Sequence, residues 1–305
     1  MNAPFNAVKT TPVDVKPRRM SFPFENVKTK YFFDDNPILS AFWAALSSTF
    51  PPGEAEFIES VRLYRDQIED EKLLEQVRGF IGQEGHHSHQ HEKINRHLKA
   101  LGFDAVRLEK HLEKDIEKFI ADGYRSHPKV RLAMTAGMEH ITAIMSEFIL
   151  NNPEVLEPLQ ETMRELIYWH AVEEIEHKAV AFDVYQQCVG NEDLRRRTLR
   201  IATLMFSLRI TAYTIALLWW SKSMPSFKDI RGAFSFMFGK KGMIRNIRKT
   251  YMAYFKEGFH PWDSDNRDLI EKWKNNFYDA KHDRGSDEFD SSLLDKGLDK
   301  GIAAA

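Results

Sequence analysis

Glu84 and His87, and again Glu174 and His177, stand three residues apart in stretches with helical hydrophobic periodicity. A three-residue step turns an α-helix by about 300°, which brings carboxylate and imidazole to one face a single turn apart, where they can share a metal ion. Both pairs interrupt stripes that are otherwise apolar, the first between Phe80 and Ile94, the second between Ile167 and Val180. Burying an unpaired charge is expensive, so ionisable groups in a core-facing stripe need a reason. The spacing alone is weak: with 25 Glu and 12 His in 305 residues, about one Glu-x-x-His arises by chance. Three occur. The third, Glu257 and His260, abuts Pro261 outside the paired helices and reads as the accident.

Long helices are needed to position the other two pairs. Asn36-Pro37 opens a short helix to Phe50, and Pro51-Pro52-Gly53 breaks the chain before the next. Phe57, Ile58, Val61, Tyr64 and Ile68 then mark a helix from Gly53 to about Glu69. Leu73, Val77, Phe80, Ile94 and Leu98 mark its partner from Lys72 to Leu101, with a tight turn near Asp70. After a charged helix from about Ala105 to Asp122, Pro128 starts a long helix to Leu150, closed by Asn151-Asn152-Pro153. Its partner runs from near Pro158 to Val189, where Gly190-Asn191 supplies the stop. Residues 53–190 thus hold two long hairpins, the wiring of a four-helix bundle, and no strand-period segment competes. The expected fold class is all-α, a four-helix bundle with additional N- and C-terminal helices. The expected divisions are an extended arm over 1–30, pinned by Phe22 and Phe24 and without visible chemistry, and the bundle over 31–190. A basic, aromatic-rich extension follows over 191–262, then a charged helix and mobile tail over 263–305.

Distance from each turn decides which acids share a level. Glu54 lies 16 residues before residue 70 and Glu84 lies 14 after; Glu139 lies 17 before a turn near 156 and Glu174 lies 18 after. Glu147 misses that level by about a dozen ångströms at 1.5 Å per residue. Glu56 fits the height of Glu84 as well, but Glu54 is in step with Ile58, Val61 and Ile68 and is preferred. His170, one turn before Glu174, shares its face. The candidate ligands are Glu54, Glu84, His87, Glu139, His170, Glu174 and His177. Their four carboxylates balance two divalent cations, and a thiolate-free, oxygen-rich set favours iron or manganese over structural zinc. Two iron ions are expected, with iron–manganese and dimanganese pairs compatible. The alternative, a metal-free bundle held by Glu–His ion pairs, demands more desolvation than three imidazoles readily offset. His86 and His89 turn away by about 100° and 200°. His91 reads either as a hydrogen-bond partner behind the site or as an ordinary buried histidine, and His140 and Glu173, about 100° off the stripe, are set aside.

One Glu from each of two helices and one Glu-x-x-His from each of the others resembles the ferritin-like di-iron carboxylate proteins. The third histidine, in HAVEEIEH, is similar to the para-aminobenzoate N-oxygenase branch of the di-iron oxygenases, where such a residue occupies one metal. This resemblance covers residues 53–190 and implies a ferritin-like fold with these seven residues as ligands. The phrases FPPGEAEFIESVR and GQEGHHSHQH resemble a bacterial family labelled predicted metal-dependent hydrolases. The leading expectation is a non-haem di-iron oxygenase or oxidase with O2 as co-substrate and an external electron donor. Bimetal-dependent hydrolysis and a non-catalytic iron-binding bundle are the alternatives.

Hydrophobic residues make up 43% of the chain and charged ones 29%, ample for a large core, and a formal charge of -2 gives no reason to expect a nucleic-acid partner. A single cysteine, Cys188, excludes an intramolecular disulfide framework and suits a reducing compartment. The first residues, MNAPFNAVKTTPVDVKPRRM, lack the apolar run of a secretory leader, so the expected location is cytoplasmic. Charge is unevenly spread: Arg195 to Lys256 carries fourteen Lys/Arg and one acid, Asp229, a net of +13. Between these cations lie RIATLMFSLRITAYTIALLWW and GAFSFMFG. As a span, the eight Leu/Ile/Phe of Ile201–Trp220 give about -4 kcal/mol and Arg209 returns about +3, near neutral. The preferred reading is a fifth helix packed on the core or in a homodimer interface. Peripheral contact with the inner face of an anionic membrane comes second and a span last. The same segment suggests a lipophilic substrate, an acyl or lipid-like chain with an anionic head.

Overall fold

The computed structural model describes residues 11–123 and 126–281; the first ten residues of the arm and the expected mobile tail beyond 281 lie outside them. Among the described residues the secondary structure is helical, with one isolated antiparallel bridge, Phe33 to Leu159, and no strand. The helices are α1 Pro37–Ser47, α2 Phe50–Arg62, α3 Glu71–Ala100, α4 Ala105–Ala121, α5 Pro128–Asn151 and α6 Glu161–His177. They continue as α7 Val180–Cys188, α8 Glu192–Trp220, α9 Phe227–Phe238, α10 Met243–Ala253 and α11 Arg267–Lys281.

The bundle pairs α2 with α3 and α5 with α6 and α7, and α5 also touches α2 while α3 touches α6 and α7. This is the all-α, ferritin-like arrangement anticipated from the two hairpins. Asn36 caps α1 by accepting from the backbone N–H of Ile38 and Leu39, and Asp70 caps α3 through Lys72 and Leu73. Several boundaries differ from expectation. α1 stops at Ser47, short of the expected Phe50, which instead opens the next helix. α2 begins at Phe50, because Pro51 and Pro52 fall in its first turn, where a missing N–H costs nothing, and it ends at Arg62 with a 3₁₀ turn over Arg65–Gln67. The fourth helix is divided after His177. No proline or glycine breaks it; buried Lys178 instead donates to the carbonyl of Ser264 (2.8 Å) and to Asn266 Oδ1 (2.6 Å), tying the break to the segment before α11.

The helices outside the bundle cover its flanks. α1 packs on α8, α3 and α9; α8 packs on α5; α4 lies on α2 and α3; α10 lies on α5 and α11 on α6. At the α5–α8 crossing, Gly137 faces Leu199, whose Cα lies 3.4 Å from where a Cβ would stand, an ordinary packing contact.

The N-terminal arm follows α3. Gln76, Gln83, Gln90 and His97 recur every seven residues on that helix and donate to the backbone carbonyls of Thr11 (2.9 Å), Lys16 (3.3 Å), Met20 (2.8 Å) and Val27 (2.8 Å). These bonds satisfy arm carbonyls that have no strand or helix to pair with. Gly79 sits under the crossing, where a Cβ would meet Val15 O at 2.0 Å. Phe22 and Phe24 are buried as anticipated.

Candidate metal centre

All seven residues singled out in the sequence converge inside the bundle. Glu54 comes from α2, Glu84 and His87 from α3, Glu139 from α5, and His170, Glu174 and His177 from α6, all buried. Three overlapping groups have ligand atoms within 4.8 Å of one another: Glu54, His87 and His170; Glu84, His87 and Glu174; and Glu84, Glu139 and His177. The first and last form two lobes that share no residue, and the middle group joins them through Glu84, His87 and Glu174. His177 Nε2 lies 3.1 Å from Glu84 Oε1, 3.3 Å from Glu139 Oε2 and 3.6 Å from Glu174 Oε1. In the other lobe His170 Nε2 lies 2.9 Å from Glu174 Oε1 and 3.8 Å from Glu54 Oε1, and His87 Nδ1 lies 3.7 Å from Glu174 Oε1.

Outer hydrogen bonds set the orientation of each ring. Gln83 Nε2 donates to Glu176 Oε2 at 2.8 Å, so its Oε1 faces His177 Nδ1 at 2.9 Å and accepts from it. That turns Nε2 toward the cluster; burial disfavours the imidazolium, but Glu139 and Glu174 outweigh it and hold His177 well above the normal imidazole range, so a cation there would displace the Nε2 proton. Ser47 Oγ donates to Asn95 Oδ1 at 2.7 Å and therefore accepts from His91 Nδ1 at 2.9 Å. His91 Nε2 is then an acceptor for His170 Nδ1 at 2.9 Å, and the His170 lone pair falls on the inner nitrogen, Nε2. His87 Nε2 meets Glu173 Oε2 at 3.0 Å, and its Nδ1 faces inward.

Buried side-chain atoms without a hydrogen-bond partner gather in this cluster. They include both oxygens of Glu84 and of Glu139, Glu54 Oε1, Glu174 Oε2, His87 Nδ1 and His177 Nε2. Buried polar atoms are normally satisfied, and these are the lone-pair atoms a cation requires. The electrostatics agree. Burial, reinforced by Glu84 and Glu174, pushes Glu54 well above the usual carboxylate range. Burial likewise raises Glu139 strongly, and raises Glu84 against the pull of His177. Glu174 goes the other way: its desolvation is outweighed by His177 and His170. Burial holds His87 and His91 well below the normal imidazole range, in the neutral form that can ligate or accept. The donor set fits a hard or borderline divalent metal, supplied by carboxylates and imidazoles without thiolate.

A cavity of about 950 Å³ reaches the cluster from one side. Glu54, His170 and Glu174 line it, whereas Glu84, His87, Glu139 and His177 do not. One lobe therefore opens on the cavity and the other is sealed. Most of the remaining wall is apolar, with Trp43, Phe50, Phe57, Met134, Met163 and Phe206 among its residues.

The other candidates separate cleanly. Glu56 is bound by Arg131 through two 2.7 Å hydrogen bonds, and Glu147 accepts from Ser264 and Asn266 at 3.0 Å, so neither enters the cluster. His260, of the third Glu-x-x-His, is buried elsewhere, 2.9 Å from Asp183 Oδ1. His89 is exposed, His86 half-buried, and buried His140 packs on Tyr254. Glu173, set aside from its helical angle, supports His87 directly. The arm, thought to carry no chemistry, supplies Arg18, whose guanidinium binds Glu173 at 3.1 Å and Glu176 at 2.8 and 2.7 Å. Burial pushes Glu173 up to about 8 while Arg18 pulls it down. A visible signal existed for this layer: polar residues recur every seven positions along one flank of α3, too regularly for a solvated face.

Fold and site together define an all-helical bundle enclosing a buried carboxylate–imidazole centre able to hold metal. The family model described as "Predicted metal-dependent hydrolase" matches residues 16–265, and the chain belongs to that family. No curated protein and no solved structure matches it.

Proposed function

We infer that the protein is a di-iron oxygenase or oxidase that acts on a lipophilic substrate. The observation carrying this reading is the set of unpartnered, inward-facing carboxylate and imidazole atoms, bordered through Glu54, His170 and Glu174 by a large apolar cavity. Glu54, His87 and His170 would hold one ion, Glu139 and His177 the other, with Glu84 and Glu174 placed to serve both. Two bound ferrous ions would supply electrons to O2 beside the substrate, with an external donor restoring them. The protein's own contribution is positional. Its apolar wall excludes water and aligns an extended substrate toward Glu54, His170 and Glu174, while Gln83, His91 and Glu173 fix the three imidazole rings. The sealed lobe keeps Glu84, Glu139 and His177 from competing solvent.

Metal-assisted hydrolysis is the second reading, favoured by the family's description. An oxygen electrode separates the two. Reduced, iron-loaded protein is expected to consume O2 faster when long-chain fatty acids are added, and His177→Ala to abolish the uptake. Ester cleavage at full rate under argon, with no O2 uptake in air, would overturn the oxidative reading in favour of hydrolysis.

A further inference from the structure

α8 has two contrasting faces. Ala202, Ile210, Tyr213 and Leu217 are buried against the rest of the fold, but Leu204, Leu208 and Trp219 are 61%, 63% and 82% exposed. Ile201, Met205 and Ile215 extend the same exposed stripe. From 201 to 219 this stripe runs about 27 Å at the helical rise, and no exposed residue between 201 and 220 is charged. Monomeric soluble proteins rarely leave so long an apolar face bare. α8 is also, among the described residues, the one helix long and apolar enough to cross a membrane, with 28% of its most apolar stretch buried. Because its other face is already packed on α1 and α5, and Arg209 is held by Asp115 at 2.8 Å, it is built to lie on an apolar layer rather than through one.

Charge selects the occupant. Arg197 and Arg200 stand exposed at one end of the stripe, and Lys222, Lys228 and Arg231 at the other, where exposed Phe227 adds an aromatic anchor. The single acid of the segment, Asp229, is engaged in capping α9, accepting from Ser226 N and Oγ at 2.7 Å. A second copy of this chain would set these cations against their own kind. An anionic bilayer would complement them and bury the stripe, each basic side chain at the surface adding about fivefold in affinity.

The cavity opens on this face. Ile201 and Met205 both line it and are 47% and 48% exposed, and exposed Arg197 and Lys129 also line it. We propose that α8 docks flat on an anionic membrane, so that the cavity mouth at Ile201 and Met205 faces the lipid. An amphiphile with an anionic head then enters from the bilayer, its head held near Arg197 and Lys129 and its chain directed toward Glu174 and His170. The substrate class rests on the functional reading above; the docking does not.

Co-sedimentation of the full-length, metal-loaded protein with vesicles tests the docking. Vesicles of phosphatidylglycerol and phosphatidylcholine are expected to bind it at least about tenfold more tightly than phosphatidylcholine alone. The Leu204→Glu/Leu208→Glu variant should lose about tenfold in partitioning, because two apolar contacts become charged. Both side chains are exposed, so helical content and bound metal should be unchanged. Phosphatidylglycerol brominated on its acyl chains should quench tryptophan fluorescence, and Trp219→Phe should remove most of that quenching. Equal binding to neutral and anionic vesicles, or none, overturns the proposal. So does a wild-type dimer that ignores vesicles and becomes monomeric in the Leu204→Glu/Leu208→Glu variant, which would make the stripe an interface between copies. The vesicle readout needs neither O2 nor turnover, so its failure leaves the oxidative reading standing, and absence of O2 uptake leaves the docking standing.

Discussion

Removal of Arg18 is the most informative single perturbation outside the candidate ligands. Its guanidinium bridges Glu173 and Glu176, both fully buried, and these acids in turn hold His87 directly and His177 through Gln83. Deleting one partner of a buried pair costs roughly 3–5 kcal/mol. Two features reduce that here: the Arg18 side chain is 21% exposed, and Lys274 still contacts Glu176. A loss of about 2 kcal/mol is therefore expected for Arg18→Ala, the scale of a buried charged group left short of one hydrogen-bonding partner. Metal binding should suffer as well. Arg18 orients the Glu173 carboxyl and favours its ionised form, the form that accepts from His87 Nε2–H and leaves the His87 lone pair on the inner nitrogen; without the guanidinium that support weakens. Loss of such an outer partner lowers metal affinity by about 10–100-fold. Urea denaturation of chelator-treated protein measures the first effect, and competition for Fe(II) against a chromogenic chelator measures the second. Lys16→Ala is the control, since Lys16 lies two residues away and pairs with Asp14 at the surface. If Arg18→Ala matched Lys16→Ala in both assays, the claim that the arm supports the centre would be wrong.

Metal removal should have a pH signature. Glu54, Glu84 and Glu139 have raised folded-state pKa values in the absence of cations, so the folded apo-protein binds protons that the unfolded chain releases. Their contribution is fully present below the unfolded value and is lost as pH rises through the folded one, so apo stability should fall with pH. His177, raised against its burial by Glu139 and Glu174, adds to this trend, whereas the lowered Glu174, His87 and His91 oppose it only below about pH 7, where the unfolded imidazoles take up protons. Bound cations offset the loss, and the gap in melting temperature between loaded and chelated protein should widen from about pH 7 to about pH 8.5; a constant or narrowing gap would count against the cluster as a metal site. Asp183 supplies an independent case. Burial raises it to about 6 from 3.8, about 3 kcal/mol of stability that is present below the unfolded pKa and lost as pH rises through about 6. Asp183→Asn keeps an acceptor for His260 and removes the charge, and should flatten the stability profile between pH 4 and 6.5. A slope equal to wild type would show that Asp183 is not its source.

The bundle and its ligands were legible because they obey one regularity, helical phase combined with distance from a turn. Glu54 was separable from Glu56 because it keeps step with Ile58, Val61 and Ile68, and Glu56 indeed turns to Arg131. Glu147 failed the distance test and lies with Ser264 and Asn266. Phase reasoning fails when a helix is covered on more than one side. α6 is buried continuously from Leu166 to His177, between the bundle, the arm and α11, so Glu173 at about 100° from the stripe faces another interior rather than solvent. The break after His177 was invisible for a related reason, since the contacts of Lys178 come from residues 264 and 266, nearly ninety positions away. α8 shows the converse. Its apolar content could not say which face is covered, and only the packing on α1 and α5 shows that one is and one is not.

The central claim is that Glu54, Glu84, His87, Glu139, His170, Glu174 and His177 hold a pair of metal ions. Elemental analysis of protein purified from iron-supplied cells tests it most directly, repeated on Glu139→Ala and His177→Ala with helical content checked by circular dichroism. The expected result is about two irons per chain in wild type, the number that four carboxylates balance, and at most half that in either folded variant. Wild-type iron content in both variants, or a folded wild-type protein that binds no divalent metal, would contradict the account.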